Sequence, residues 1–178
     1  MPGVPMLVLG WRLADQLFGL DVRNVVHIEE RLATCHVPRP RAGIAALTFY
    51  QDRVVPVLDL ARILLGETDH QWSNETKHLI LRRNVTASSA TSQPLWAGKV
   101  DMVVRIFTLN TEDLTAWTEP PGHPAARYVR AVVEGEEGSL WLIDLRRVLR
   151  QICGNSPTAV GDSSSEERLA GQTALGAR

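Results

Sequence analysis

The sequence predicts a mainly β protein made of two small β-barrels related by internal duplication, each with a short helix after a strand that ends in Asp-Leu. Three observations carry that prediction. The phrase Val54-Val55-Pro56-Val57-Leu58-Asp59-Leu60-Ala61-Arg62-Ile63-Leu64 is answered by Ser139-Leu140-Trp141-Leu142-Ile143-Asp144-Leu145-Arg146-Arg147-Val148-Leu149, with Asp59 and Asp144 85 positions apart. A second phrase, Phe18-Gly19-Leu20-Asp21-Val22-Arg23-Asn24-Val25-Val26-His27-Ile28, is answered 78 positions later by the segment from Trp96 to Ile106. Two repeats in the same order mark two joined copies of one unit. Strand patterns also outnumber helix patterns, and closing short sheets into barrels removes the edges that would otherwise pair with other chains.

Taken in order, apolar alternation bounded by turn formers places strands at 6–13, 17–20, 44–49, 54–58, 77–83, 95–100, 105–109, 128–134 and 139–143. Ala14-Asp15-Gln16 and Glu134-Gly135-Glu136-Glu137-Gly138 read as tight reversals between them, the second carrying glycines for positive backbone angles. Helices are expected at 60–65, stopped by Gly66, and at 145–152, stopped by Gly154, with single turns at 22–26 and 112–117. Loops are expected at 66–76 and 84–93. The globule then covers residues 6–152, as two intertwined halves at roughly 17–76 and 77–152. Residues 153–178, rich in Gly, Ser and Ala and without aromatics, read as a disordered tail.

Composition narrows the functions open to this chain. With 178 residues and a formal charge of −1 it has no global basic field for nucleic acid or an anionic membrane. Cys35 and Cys153 are too few and too scattered for a disulfide framework or a zinc site, which points to a reducing compartment. The apolar run from Val4 to Leu9 is short and interrupted by Pro5, unlike a membrane span or a signal peptide. A cytoplasmic location is the expectation.

Catalytic constellations fail in turn. Asp59 and Asp144 stand where helices begin, so helix capping, worth ~1 kcal/mol, explains them better than paired acid–base catalysis. His27, His36, His70, His78 and His123 have no metal-ligand spacing, and Cys35 and His36, adjacent on an extended strand, point to opposite faces. No nucleophile elbow, Walker loop or dinucleotide fingerprint is present. Trp11, Trp96 and Trp141 lie in predicted strands and read as core, whereas Trp72 and Trp117 lie in polar segments and read as interface candidates. By elimination the chain is a binding module rather than an enzyme, with no cofactor and no metal.

The ordered set Val22-Arg23-Asn24-Val25-Val26-His27-Ile28, Val37-Pro38-Arg39-Pro40-Arg41-Ala42-Gly43-Ile44, Arg53 to Leu60 and Leu64-Leu65-Gly66 resembles the CheW-like domain of bacterial chemosensory adaptors. Glu119-Pro120-Pro121, Tyr128 to Val132 and Leu142-Ile143-Asp144-Leu145 resemble its second half. The resemblance implies two five-stranded SH3-like barrels with an apolar groove between them. It also implies a non-catalytic scaffold coupling the cytoplasmic tips of methyl-accepting receptors to a CheA-type histidine kinase. On that basis Val25, His27, Phe49, Gln51 and Asp52 are the receptor-interaction candidates. Two of them depart from the family pattern: His27 stands where Glu is usual, and Gln51 where Arg is usual. The departures read either as drift in a surface pair of little worth to stability or as retargeting to a specialised receptor or kinase. Asp52 replaces a turn Gly, which Asp tolerates better than most residues. The alternative function is a small β-barrel module for a ligand or nucleic acid, which would need a basic or aromatic-lined face.

Overall fold

The computed structural model describes residues 5–38, 43–83, 93–110, 112, 114–116 and 122–154. Trp117, Glu119-Pro120-Pro121, most of the loop expected at 84–93, and the tail beyond Gly154 lie outside the described residues. Twelve described strands run β1 Met6–Leu13, β2 Gln16–Asp21, β3 Val25–Glu29, β4 Thr34–His36, β5 Ile44–Tyr50, β6 Arg53–Leu58, β7 Lys77–Arg82, β8 Leu95–Val100, β9 Met102–Leu109, β10 Thr115–Ala116, β11 Val129–Gly135 and β12 Gly138–Ile143. The helix α1, Leu145–Cys153, closes the series.

Strand exchange organises the molecule. One six-stranded sheet has the order β10-β11-β12-β2-β1-β9 and the other β3-β7-β8-β6-β5-β4. Each sheet therefore takes two strands from one copy of the repeat and four from the other. The exchange is stitched by two parallel pairings, Leu142 beside Gly19 and Val57 beside Ala97. These are the same pairing seen twice, because Val57 and Leu142 are equivalent in one repeat and Gly19 and Ala97 in the other. The irregularities match as well. Val26 is the extra residue where β3 meets β7, and Val104 is its equivalent where β9 meets β1. Ala45 bulges from β5, and Arg130 bulges at the same place in β11. A bulge bends a strand and strengthens its twist, so repeated bulges reproduce one curvature in both sheets. Counted by these equivalences, β1 belongs to the first copy.

Three apolar clusters follow from the exchange. The central one lies between the sheets, where Leu9, Trp11, Phe18 and Leu20 meet Leu58, Leu79, Leu81 and Val100. Trp11 and Phe18, with ring centroids 6.3 Å apart, are among its largest fully buried members. Each such side chain contributes about 1.5–3 kcal/mol by leaving water. Two satellites fill the other faces, one around Val8, Leu17, Leu140 and Leu142 and one around Val55, Val57, Ile80 and Ala97. On α1, Leu145, Val148, Leu149 and Ile152 form a single buried stripe at helical spacing, against the central cluster.

The two Asp-Leu phrases end differently. Asp144 is the N-cap of α1, its carboxylate accepting the Arg146 N–H at 2.9 Å. Asp59 accepts the Arg62 N–H at 3.1 Å, but only one π-type turn, Ala61–Leu65, follows before Gly66 adopts φ 75° and ends it. Short structure near the rims departs from expectation. The turn predicted at 22–26 is a 3₁₀ turn over Val22–Asn24, capped by the Asp21 carboxylate on the Arg23 N–H at 2.9 Å, and β3 begins at Val25. A strand, β10, occupies part of the turn expected at 112–117. The brief strands β4 and β10 carry too few residues to show alternation and exist because β5 and β11 pair with them.

The loop between the π-type turn and β7 is held by His70. Its Nδ1 lies 2.8 Å from Glu67 Oε2 and its Nε2 2.9 Å from Asp101 Oδ2, with the side chain only 7% exposed. Two ring nitrogens facing two carboxylates fit an imidazolium, in which both donate. Burial alone would push this imidazole down, but the hydrogen bonds and charges of Glu67 and Asp101 hold it above its ordinary value. Trp72 stacks edge-on against His70 at 4.6 Å, with the Lys99 ammonium 4.2 Å from its ring centre. Trp72, expected at an interface, instead packs against the central cluster and anchors this loop.

Candidate partner-docking face

The β5–β6 hairpin positions three of the five candidate residues. Tyr50 pairs with Arg53, leaving Gln51 and Asp52 as a two-residue loop with φ of 46° and 59°. Two consecutive left-handed residues make a turn whose twist matches the flanking strands. Asp tolerates that conformation; Gln is the costlier occupant, a point missed when the turn is judged on Asp52 alone. Alternation then divides the hairpin. Tyr50 turns inward to pack on the satellite of Val55 and Ile80, while Phe49 and its cross-strand partner Val54 turn to the other face. Phe49 is 69% and Val54 57% exposed.

His27 comes to this hairpin from a distant strand. β3 is an edge strand four places from β5 in its sheet, about 19 Å away if the sheet were flat. The His27 and Tyr50 rings are nevertheless 6.4 Å apart, so the sheet curls back on itself. Gln51 Nε2 is 3.4 Å from the Tyr50 hydroxyl. His27, Tyr50 and Gln51 thus form one patch, with Tyr50 as the link and Glu29 Oε1 3.5 Å from His27 Nε2. Val25 is not part of it. The bulge at Val26 puts Val25 opposite Leu81, half-buried against the central cluster, and His27 opposite Ile80. Asp52 is exposed at the loop tip. The five candidates therefore fall into a polar patch, an apolar pair of which Phe49 is half, a loop tip and a core-lining valine.

Val54 and Tyr50, which the resemblance did not single out, lie beside these candidates. Both were accessible by counting outward from the two-residue turn, since register pairs Phe49 with Val54 and alternation separates Tyr50 from Phe49.

Duplication supplies an internal comparison for this hairpin. β11 and β12 form the equivalent hairpin, closed at Gly135 and Gly138 around Glu136 and Glu137. Where the first hairpin has Phe49 beside Val54, the second has Glu134 beside Ser139, joined by a hydrogen bond from Ser139 Oγ to Glu134 Oε2 at 2.7 Å. The same backbone thus accepts a polar pair. Nothing in the hairpin itself requires exposed Phe and Val, and exposed apolar clusters commonly mark sites of association.

Among the described residues no group of His, Cys, Asp and Glu is arranged to hold a metal ion, and no helix is long and apolar enough to cross a membrane. A comparison with curated proteins finds no match. Among solved structures, the scaffolding protein TtCheW from Thermoanaerobacter tengcongensis superposes with a TM-score of 0.65 at 16% identity, covering 79% of this chain and 90% of that one. At that identity the likeness establishes the fold, two SH3-like β subdomains. The family model of the CheW-like domain matches residues 7–153. The chain belongs to the CheW-like domain family, the non-catalytic scaffolds of chemotaxis-type signal transduction.

Proposed function

We propose that this protein is a cytoplasmic adaptor that couples the cytoplasmic tip of a methyl-accepting chemotaxis receptor to a CheA-type histidine kinase in a specialised array. Val25, His27, Phe49, Gln51 and Asp52 are its receptor-interaction residues in this reading, with Tyr50 and Val54 added to them. The observation that carries it is the exposed Phe49–Val54 pair set against the polar Glu134–Ser139 pair on the equivalent hairpin. Val25 serves by supporting β3 from the core side. The neutral Gln51 and the His27–Glu29 contact replace the Glu and Arg usual in the family, which supports a receptor different from the ordinary type.

The test transplants the polar pair, Phe49→Glu with Val54→Ser. Removing two exposed apolar side chains from a contact costs about 1–2 kcal/mol each, about 2–4 kcal/mol together, so affinity for the cognate receptor tip falls by about thirtyfold or more. Stability changes little, because the equivalent hairpin already carries these residues. Unchanged affinity for the receptor tip in the folded variant would refute this use of the hairpin.

A further inference from the structure

His78 sits on β7 between Glu29 of the edge strand β3 and Lys99 of β8, one row across three strands. Alternation turns this row, with Ile80 and His27, toward the satellite of Val55, Val57 and Ala97. His78 is 9% exposed, and its Nδ1 is sealed from solvent with no hydrogen-bond partner among the described residues. Burial pushes the imidazole below its ordinary value, Lys99 pushes it further, and Glu29 only partly opposes them. Tyr50, from β5, is the titratable member of the satellite itself; its other members are apolar.

The duplication shows that a histidine here is not a demand of the fold. The equivalent row in the other sheet runs Phe107, Val8 and Asp21, with Val8 fully buried in the position of His78. The same strand pairing therefore accepts an aliphatic side chain. A sealed imidazole nitrogen without a partner costs stability that valine does not.

An imidazolium at this position needs water, and water reaches it only if an element moves. β7 and β8 are interior strands of their sheet, whereas β3 is its edge. β3 has five residues, is interrupted by the bulge at Val26, and its three middle residues are exposed. It is the strand least costly to displace. We propose that His78 is an acid-sensitive latch on β3: its protonation frees this edge strand from β7 and withdraws His27 from the patch shared with Tyr50 and Gln51. The consequence for a partner rests on the receptor reading above; the release of β3 does not. With β3 paired, His78 is kept neutral; with β3 open, it titrates near the ordinary value of about 6.5. The paired state is therefore fully favoured above that value. As pH falls toward the lowered value of the paired state, the open population grows by up to about tenfold per pH unit.

The test is hydrogen exchange of the full chain from about pH 7.5 to about pH 5, read at single amides by NMR, each rate divided by its intrinsic rate at that pH. Below about pH 6.5, protection of Val25–Glu29 and of their β7 partners falls by up to about tenfold per pH unit, while that of β1 and β2 stays level. His78→Val, the residue of the other copy, abolishes the fall, although His27 and Glu29 remain in place to titrate. A fall that persists in this variant, a uniform fall across both sheets, or level protection of β3 down to pH 5 in wild type would each overturn the proposal. If the variant is poorly folded, the wild-type titration of the His78 ring decides. Protonation in step with β3 exchange supports the latch, and protonation with β3 still protected overturns it.

Discussion

Replacing His70 with Ala tests whether one buried imidazolium pins the loop between the π-type turn and β7. The Asp101 link is the stronger of its two, since Asp101 is 14% exposed and also accepts the Ala14 N–H at 2.8 Å, whereas Glu67 is 48% exposed. A buried charge-assisted hydrogen bond is worth about 1.5–3 kcal/mol, and the more exposed Glu67 pair at most about 1 kcal/mol. The edge-on contact with Trp72 adds about 0.5–1.5 kcal/mol. With partial relaxation, a net loss of roughly 2–4 kcal/mol is expected, lowering the melting temperature by very roughly 5–15 °C in a domain of this size. The pH dependence distinguishes this account from simple loss of packing. The pKa of His70 is raised in the folded state, so its stabilisation is fully present below the unfolded value and is lost as pH rises through the folded one. Thermal melts of wild type and His70→Ala from pH 6 to pH 9 should therefore converge toward high pH, leaving only the packing loss. A gap that stays constant or widens over that range would refute the imidazolium. Below pH 5 Asp21 confounds the reading. Burial would raise its carboxyl, but Arg23 holds it below the ordinary value, so its contribution is lost as pH falls through the folded pKa.

Three further outcomes follow from the geometry. Asp144→Ala should cost about 1–2 kcal/mol and Asp59→Ala about 0.5–1 kcal/mol, because Asp144 starts a nine-residue helix and Asp59 a single turn; denaturant unfolding measures both, and a larger effect at Asp59 would contradict the assignment. His27→Glu with Gln51→Arg should shift recognition toward receptors of the ordinary chemotaxis type with a stability change of at most ~1 kcal/mol; equal affinities of wild type and variant for cognate and ordinary receptor tips would favour drift over retargeting. Fragments 1–76 and 77–178 should each be largely unfolded alone by circular dichroism and regain structure when mixed, since each sheet draws strands from both; an independently folded fragment would refute the exchange.

Much of this was legible in the chain because it is written locally. β1 and β8 fall within the predicted limits, since eight and six residues suffice to show apolar alternation against turn formers. The duplicated phrases identified equivalent positions that the structure keeps down to single bulged residues. Trp11 was read as core from its strand and is fully buried. Trp72 was misread because its neighbours are polar, and only the folded loop reveals Lys99 and His70 around its ring. The candidates Gln51 and Asp52 came from the family resemblance, while Val54 and Tyr50 follow from counting outward along the hairpin that pairing confirms.

The amino-acid sequence by itself determined that there are two copies of one β unit, where most strands lie, where Asp begins each helical segment, and which family the pattern resembles. All of these depend on residues near one another in the chain. Tertiary structure alone decided that the copies exchange strands, that a curled sheet brings His27 to Tyr50, and that Glu29, His78 and Lys99 share one row. Those pairings join residues tens of positions apart. Their register is chosen by which apolar faces can be buried together, and no local pattern encodes that choice.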